Sequence, residues 1–543
     1  MSYRNFVLLT LAAIVLAGCG PEKKNIEHAL ESITVEEFQE HVSVIASDEF
    51  RGRAPGTNGE ELTIHYLADA FGRLGLEPAN EGSYFQELSL VEITAEPSME
   101  MLISGSGGQF APAYREDFIG TTSQISENIV IDNSEIIFIG YGIDAPEYGW
   151  NDYAGLDVKG KTVLMLVNDP GYATGDTALF KGREMTYYGR WTYKYEEAAR
   201  QGAKAAIIIH ETGAASYPWD VVKNSWSGPQ FHLTNNEIST SPLQFQGWIT
   251  TDLAQQLFAS AGLEYERLIA DAAKPGFGPV EMNLDASVTF SNKIKHIKSN
   301  NVAALWPGNE RSDEYVIYMA HWDHLGVNNS FKGDSIFNGA VDNATGISAM
   351  LQIARAFTVL PEKQARSVLF LAVTAEEQGL LGSQYYAENP LFPLDKTVAA
   401  INMDALNIFG KTKDMTMIGY GNSELDAYAT EVLESRGRYV APDPHPERGS
   451  FFRSDHFSFV KVGVPSLYLP SGSDYVGHDK EWGEEVSQQW IIEKYHKPGD
   501  EYEPEKWNFE GILEDMQVFF EVGYHLSNTS EFPDWNAHSA FKR

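Results

Sequence analysis

From Asn301 onward the chain alternates strand-like and helix-like segments, and a residue able to ligate a metal follows the end of one strand after another. Tyr315 to Ala320 reads as a strand and runs into His321-Trp322-Asp323-His324. Gly346 to Phe357 has helical spacing, and Ser367 to Thr374 is a strand leading to Glu376-Glu377. Gly379 to Glu388 is again helical, and the strand Thr397 to Met403 ends at Asp404. This alternation predicts the α/β class, a three-layer sandwich whose mixed, mostly parallel sheet carries helices on both faces. In open sheets of this kind ligands sit outside the carboxyl ends of the strands, so these residues can share one crevice. Asp342 joins them from a loop, Gly339 to Gly346, that feeds the next helix.

Taken singly, each residue has an ordinary explanation. A histidine after a strand is usually a satisfied core or surface group. An acidic pair before a helix complements its dipole, and an aspartate there caps it. Recurrence at consecutive strand ends is harder to explain that way. So many carboxylates in one crevice also repel one another unless cations sit among them, and two divalent ions resolve the repulsion. Cys19 is the only cysteine, so intramolecular disulfides, cysteine nucleophiles and cysteine-based zinc sites are excluded. Any metal is held by His, Asp and Glu.

A length of 543 residues exceeds one ordinary core and predicts two or three units. Between about Phe110 and Asn292 the pattern changes to short strand-like runs separated by glycine and proline loops, with one clear helix at Tyr195 to Gln201. The expected organisation is an export signal at 1–18, a tether at 19–25, a first part of the main domain at 26–110, an inserted mixed α/β domain at 111–292, and the rest of the main domain at 293–543. The export signal is read from Arg4, a short apolar run from Phe6 to Leu16 and small residues before the break. Leu16-Ala17-Gly18-Cys19 resembles the lipobox of bacterial lipoproteins, whose cysteine becomes the lipidated first residue. It implies an exported protein anchored to the cell envelope through Cys19, periplasm-facing or on the cell surface. The plainer alternative is a signal peptide with an incidental cysteine. A formal charge of −36 argues against nucleic-acid binding and against a polybasic membrane helix.

Five motifs carry a further resemblance. They are Ala320-His321-Trp322-Asp323-His324, Gly339 to Gly346, Ala375-Glu376-Glu377-Gln378-Gly379 with Gly382-Ser383, Asn402-Met403-Asp404, and Tyr495-His496. In order and approximate spacing they resemble zinc-dependent exopeptidases of metallopeptidase family 28, relatives of bacterial leucyl aminopeptidase and glutamate carboxypeptidase II, over roughly residues 26–110 and 293–530. The resemblance implies a phosphorylase/hydrolase-like fold and two zinc ions per chain acting on peptide substrates. Asp342 would bridge the ions, His321 and Asp404 would complete one position, and Glu377 and His496 the other. Asp323 would accept a proton from the second ring nitrogen of His321. Glu376 would be the general base, taking a proton from the attacking water and returning it to the leaving amine. Tyr495 would donate to the oxyanion, as against serving as an ordinary packed aromatic. The Asp342-Asn343 peptide bond would be cis.

The inserted region, through Tyr141-Gly142-Ile143, Asp152-Tyr153-Ala154, Val158 to Val163 and Ala198 to Ala203, resembles a protease-associated domain, which implies restricted access to the cleft. Asp455 and His456, in Phe452 to Phe457, are candidates for contacting substrate or supporting the site, with helix capping by Ser454 or Asp455 as the alternative. His324, His445 and His478 read as structural or surface groups.

Aminopeptidase activity is the commonest for this motif set. Carboxypeptidase or dipeptidase activity is the alternative, with Arg183, Arg190 and Arg453 as candidates to grip a substrate carboxylate. Glutaminyl cyclase and a non-catalytic binding protein are remoter, since no ligand is missing. A dinucleotide site at Gly140 to Ala145 fails because Pro146 follows and no helix begins there. A nucleophile elbow at Gly346-Ile347-Ser348-Ala349-Met350 fails for want of its last glycine. Composition and motifs leave the oligomeric state open.

Overall fold

The computed structural model describes residues 21–234, 243–328, 333–537, 539 and 541. The export signal and Cys19 lie outside the described residues. Among the described residues no helix is long and apolar enough to cross a membrane.

The strand Arg311–His321 shows how the sequence builds three layers. Its alternate residues Val316, Tyr318 and Ala320 enter one apolar core, and Ile317 and Met319 enter another on the opposite face. That two-residue period is the geometry of a strand covered on both sides. The first core is closed by the helices Val35–Ile45, Asn58–Arg73, Thr345–Thr358 and Phe509–Asn528. The second is closed by Leu381–Glu388 and His456–Lys461. Thr345–Thr358 is buried along almost its whole length, which accounts for its small and apolar residues.

Across this sheet the order is Ser466–Tyr468, Thr397–Asn402, Arg311–His321, Arg366–Val373, Val280–Trp306 and Phe85–Ala95. The first four run parallel; the last two are antiparallel additions. Thr397–Asn402, Arg311–His321 and Arg366–Val373 are therefore adjacent, and the segments after them emerge at one edge.

The inserted lobe has its own sheet, in which Asn128–Phe138, Thr162–Leu166, Ala205–His210 and Phe245–Thr250 run parallel. Its boundaries differ from the expected 111–292. Glu100–Gly105 and Gly108–Phe110 pair within the lobe, so the insertion starts after Ala95. At the other end one strand, Val280–Trp306, passes without a break from the lobe's sheet into the main sheet. A continuous strand leaves no turn residues at the crossing, so no linker is readable there. The helix expected at Tyr195 to Gln201 spans Trp191–Arg200.

The lobe rests on the main domain through an aromatic seam. Tyr187 lies 6.0 Å from Phe452 and 5.2 Å from Phe457, ring centre to ring centre. The Met185 N–H donates to the Pro446 carbonyl at 3.2 Å, and Lys461 pairs with Glu196 at 3.0 Å. A cavity of about 200 Å³ opens along this seam, walled by Tyr148, Tyr187, Tyr188, Phe451, Phe452 and Phe541 among others.

Candidate metal centre

His321 ends its strand, Glu376 and Glu377 follow Val373, and Asp404 follows Asn402, so three adjacent parallel strands deliver these groups to one edge. Asp342 comes from the loop before Thr345–Thr358, and His496 from the turn after the helix Lys480–Glu493, with a left-handed φ of 54°. The Asp342-Asn343 bond is cis. The Asn343 side chain ties this loop to the Asp404 loop, donating to the Met403 carbonyl at 3.0 Å and accepting from the Ala405 N–H at 3.1 Å.

The donor atoms converge. His321 Nε2 lies 3.3 Å from Asp342 Oδ1 and 3.4 Å from Asp404 Oδ1. His496 Nε2 lies 3.3 Å from Asp342 Oδ2 and 3.0 Å from Glu377 Oε2. Asp342 thus turns one oxygen to each histidine. Two ligands about 2.0–2.1 Å from a tetrahedral zinc stand about 3.3–3.4 Å apart, so these spacings suit donors sharing an ion. The donor set of imidazole nitrogens and carboxylate oxygens suits zinc as well.

His324 is also close to Asp342 and Glu377. Its Nδ1, however, lies 2.6 Å from Glu377 Oε1, a hydrogen-bond length, and on the oxygen turned away from His496. This geometry suits His324 as a group that orients Glu377, and leaves Oε2 facing His496. His324 is fully buried, so of the two expected readings, structural or surface, the structural one holds. Its place three residues after His321 was the available signal.

Asp323 departs from expectation. Its carboxylate is 3.9 Å from His321 Nδ1, too far to take that proton, and Nδ1 instead faces the Asp323 main-chain oxygen at 3.2 Å. The carboxylate accepts the N–H groups of Glu376 at 3.0 Å and Glu377 at 3.4 Å. Asp323 therefore sets the paired glutamates, and its backbone orients the ring.

Glu376 is only partly buried, and its carboxylate makes no hydrogen bond among the described residues. Burial raises its pKa well above the ordinary range, and the charges of Glu377, Asp404 and Asp455 add to this against His321. Burial lowers the affinity of His321 and His496 for a proton, but the carboxylates facing them outweigh it; His496 rises to about 10. The carboxylates thus raise the proton affinity of both rings, as an anionic cradle does.

Ser454 donates to Asp404 Oδ2 at 2.6 Å and accepts from Asn402 at 2.7 Å, so it fixes a ligand and caps no helix with its side chain. Asp455 and His456 are fully buried, which excludes direct substrate contact in this conformation. Burial pushes Asp455 up to about 7 and His456 down to about 3. The Tyr495 ring stacks on the His496 ring at 3.8 Å and the residue is 41% exposed. Arg183 stacks over Tyr172 at 5.2 Å. Arg190 is buried with its Nε unpartnered among the described residues, and the charge acting on it most strongly is that of Arg453. His445 lies 3.3 Å from Glu447, and His478 stacks on Trp482 at 3.8 Å, both apart from the cluster.

Fold and site together define the class, an α/β domain with a histidine–carboxylate metal cradle at the carboxyl edge of its sheet. Residues 301–519 match the model of peptidase family M28. It is 27% identical over 459 residues to a probable glutamate carboxypeptidase, AMP1, of Arabidopsis thaliana, covering 77% of this chain and 59% of that one. It is 24% identical over 342 residues to the aminopeptidase YwaD of Bacillus subtilis, covering 61% of this chain and 58% of that one. The chain therefore spans less than two thirds of these relatives. The aminopeptidase of Aneurinibacillus sp. strain AM-1 shares the fold, with a TM-score of 0.53 and 19% identity over 93% of this chain and 97% of that one.

Proposed function

We propose that the chain is a dizinc exopeptidase, and an aminopeptidase in preference to other exopeptidases. The observation that carries the reading is the placement of five donors in two sets that share Asp342, each set with ligand-like spacings. Zinc, when bound, supplies a Lewis acid and lowers the pKa of water. Glu376, with no hydrogen bond to hold its carboxylate, is free to take the proton of the attacking water and return it to the leaving amine. Asp323 holds the Glu376 backbone so that this carboxylate and the ligand Glu377 stay in register. Tyr495 can donate to the oxygen that becomes negative.

A second reading, carboxypeptidase or dipeptidase, is favoured by one observation. Arg190, in the lobe, is buried beside Arg453 without a carboxylate among its charged neighbours, and Arg453 adjoins the serine that holds Asp404. Peptides with free, N-acetylated or C-amidated ends separate the two. The aminopeptidase reading expects cleavage of free and amidated peptides but not acetylated ones. Cleavage of acetylated peptides with loss on amidation would overturn it.

We further propose that the inserted lobe is a protease-associated domain limiting access to the cleft, and that the protein is exported and anchored through Cys19. Cys19→Ala should release it from the membrane fraction; unchanged membrane association would refute the anchor.

A further inference from the structure

The loop Arg51-Gly52-Arg53 is folded for one purpose. All three residues have left-handed φ, 50°, 63° and 53°, and a side chain at Gly52 would run into the carbonyl oxygens of Gly326 and Phe337. This turn drives Arg53 inward until it is 1% exposed. A buried guanidinium usually meets a carboxylate, yet this one donates only to main-chain oxygens. Nε reaches Trp322 at 2.9 Å, Nη1 reaches Ile45 at 2.9 Å and Asn338 at 2.5 Å, and Nη2 reaches Gly339 at 2.9 Å.

Three of those carbonyls belong to the loops that present ligands, and the fourth, Ile45, ends the helix Val35–Ile45. Trp322 follows His321, and Asn338-Gly339 lead into Asp342. Asp500 grips the second loop from its other end, accepting the N–H groups of Val341 and Asp342 at 3.0 Å each. A cation thus holds the carbonyl oxygens and an anion the N–H groups of one short loop, each matched to the dipole it meets. Glu377 and His496 receive nothing from Arg53 directly. The planar fork is needed, because three nitrogens must donate at once to two separate loops.

We propose that Arg53 is a positioning residue for the metal centre, setting the His321–Asp342–Asp404 position by clamping the backbone of two ligand loops. The proposal rests on the dizinc reading but is tested apart from catalysis. Zinc affinity is measured by chelator competition for wild type, Arg53→Lys and Arg53→Met, with His321→Ala showing which binding phase belongs to the His321 position. The expected result is a roughly 10–100-fold weaker phase at that position, the scale for losing a partner that orients a ligand, with the other phase, which shares only Asp342 with the clamped loops, weakened clearly less. Melting temperatures with and without zinc supply a second readout, and the gain on adding zinc should shrink in both variants. Equal weakening of both phases, unchanged affinities, or an equal loss of melting temperature with and without zinc would overturn the clamp. So would a variant that fails to fold even in excess zinc, since Arg53 would then hold the whole fold. If wild type itself binds no zinc, the dizinc reading falls.

Discussion

Replacing Glu376 by Gln isolates the proton-transfer role, because the structure leaves little else for the substitution to disturb. The link to Asp323 runs through the Glu376 N–H and survives. The carboxylate has no hydrogen bond to lose, and it is repelled by Glu377, Asp404 and Asp455. A neutral amide relieves that repulsion, so the melting temperature should hold or rise, with zinc content unchanged. No neighbour can take over. His324 is committed to Glu377, Asp455 and His456 are fully buried, and Asp323 is occupied by two N–H groups. The loss should therefore be the whole of a general base's contribution, about 10²–10⁴ in kcat, or about 2.7–5.5 kcal/mol of barrier. A steady-state assay on an unblocked aminoacyl chromogenic substrate, with zinc measured on the same preparation, gives both numbers. Activity within tenfold of wild type, or a loss matched by lost zinc, would refute the assignment.

Two other substitutions test the scaffold. Ser454→Ala removes the hydroxyl between Asn402 and Asp404 and should weaken zinc binding about 10–100-fold with an intact fold; chelator competition within twofold of wild type would count against it. Asp515→Asn strips the buried Arg438 of its carboxylate, 2.7 Å away, and should cost about 3–5 kcal/mol in denaturant unfolding while leaving zinc affinity alone. A cost below about 1 kcal/mol would show that the pair is not what anchors the last long helix.

The sheet was legible because its strands announce themselves twice, by two-sided apolar runs and by the polar residue that ends each one. The convergence of His321, Glu377 and Asp404 was legible for the same reason, whereas Asp342 and His496, which follow no strand, were pointed to only by the motif resemblance. What could not be read acts across distance. Arg53 bonds to main-chain atoms of residues 322, 338 and 339, and no side-chain pattern records a carbonyl partner. Ser454 sat in a segment where a cap was an equal reading until Asp404 was placed beside it. The lobe boundary failed for a third reason, since Val280–Trp306 crosses it as one strand. For Asp323 the sequence located the right residue and the wrong atom, because a carboxylate two positions from a histidine can face the backbone as easily as the ring.

Charge links the cradle to a solution measurement. Glu376, Asp342 and Asp404 hold the His321 proton well above the usual range, and Glu377 and Asp342 raise His496 to about 10, although burial opposes both. At pH 7.5 the His496 ring in the metal-free protein is then an imidazolium, since its pKa lies above the solution pH, and the His321 ring is shifted in the same direction. Zinc takes only neutral imidazole, so filling both positions must expel at least about one proton per chain, the one from His496. Titration calorimetry in buffers of different ionisation enthalpy reads that number as the slope of observed heat against buffer enthalpy. His496→Ala, measured for the position that remains, should lower it by about one. Release near zero would mean that the rings are already neutral without metal, and that the carboxylates do not act as the anionic cradle their placement implies.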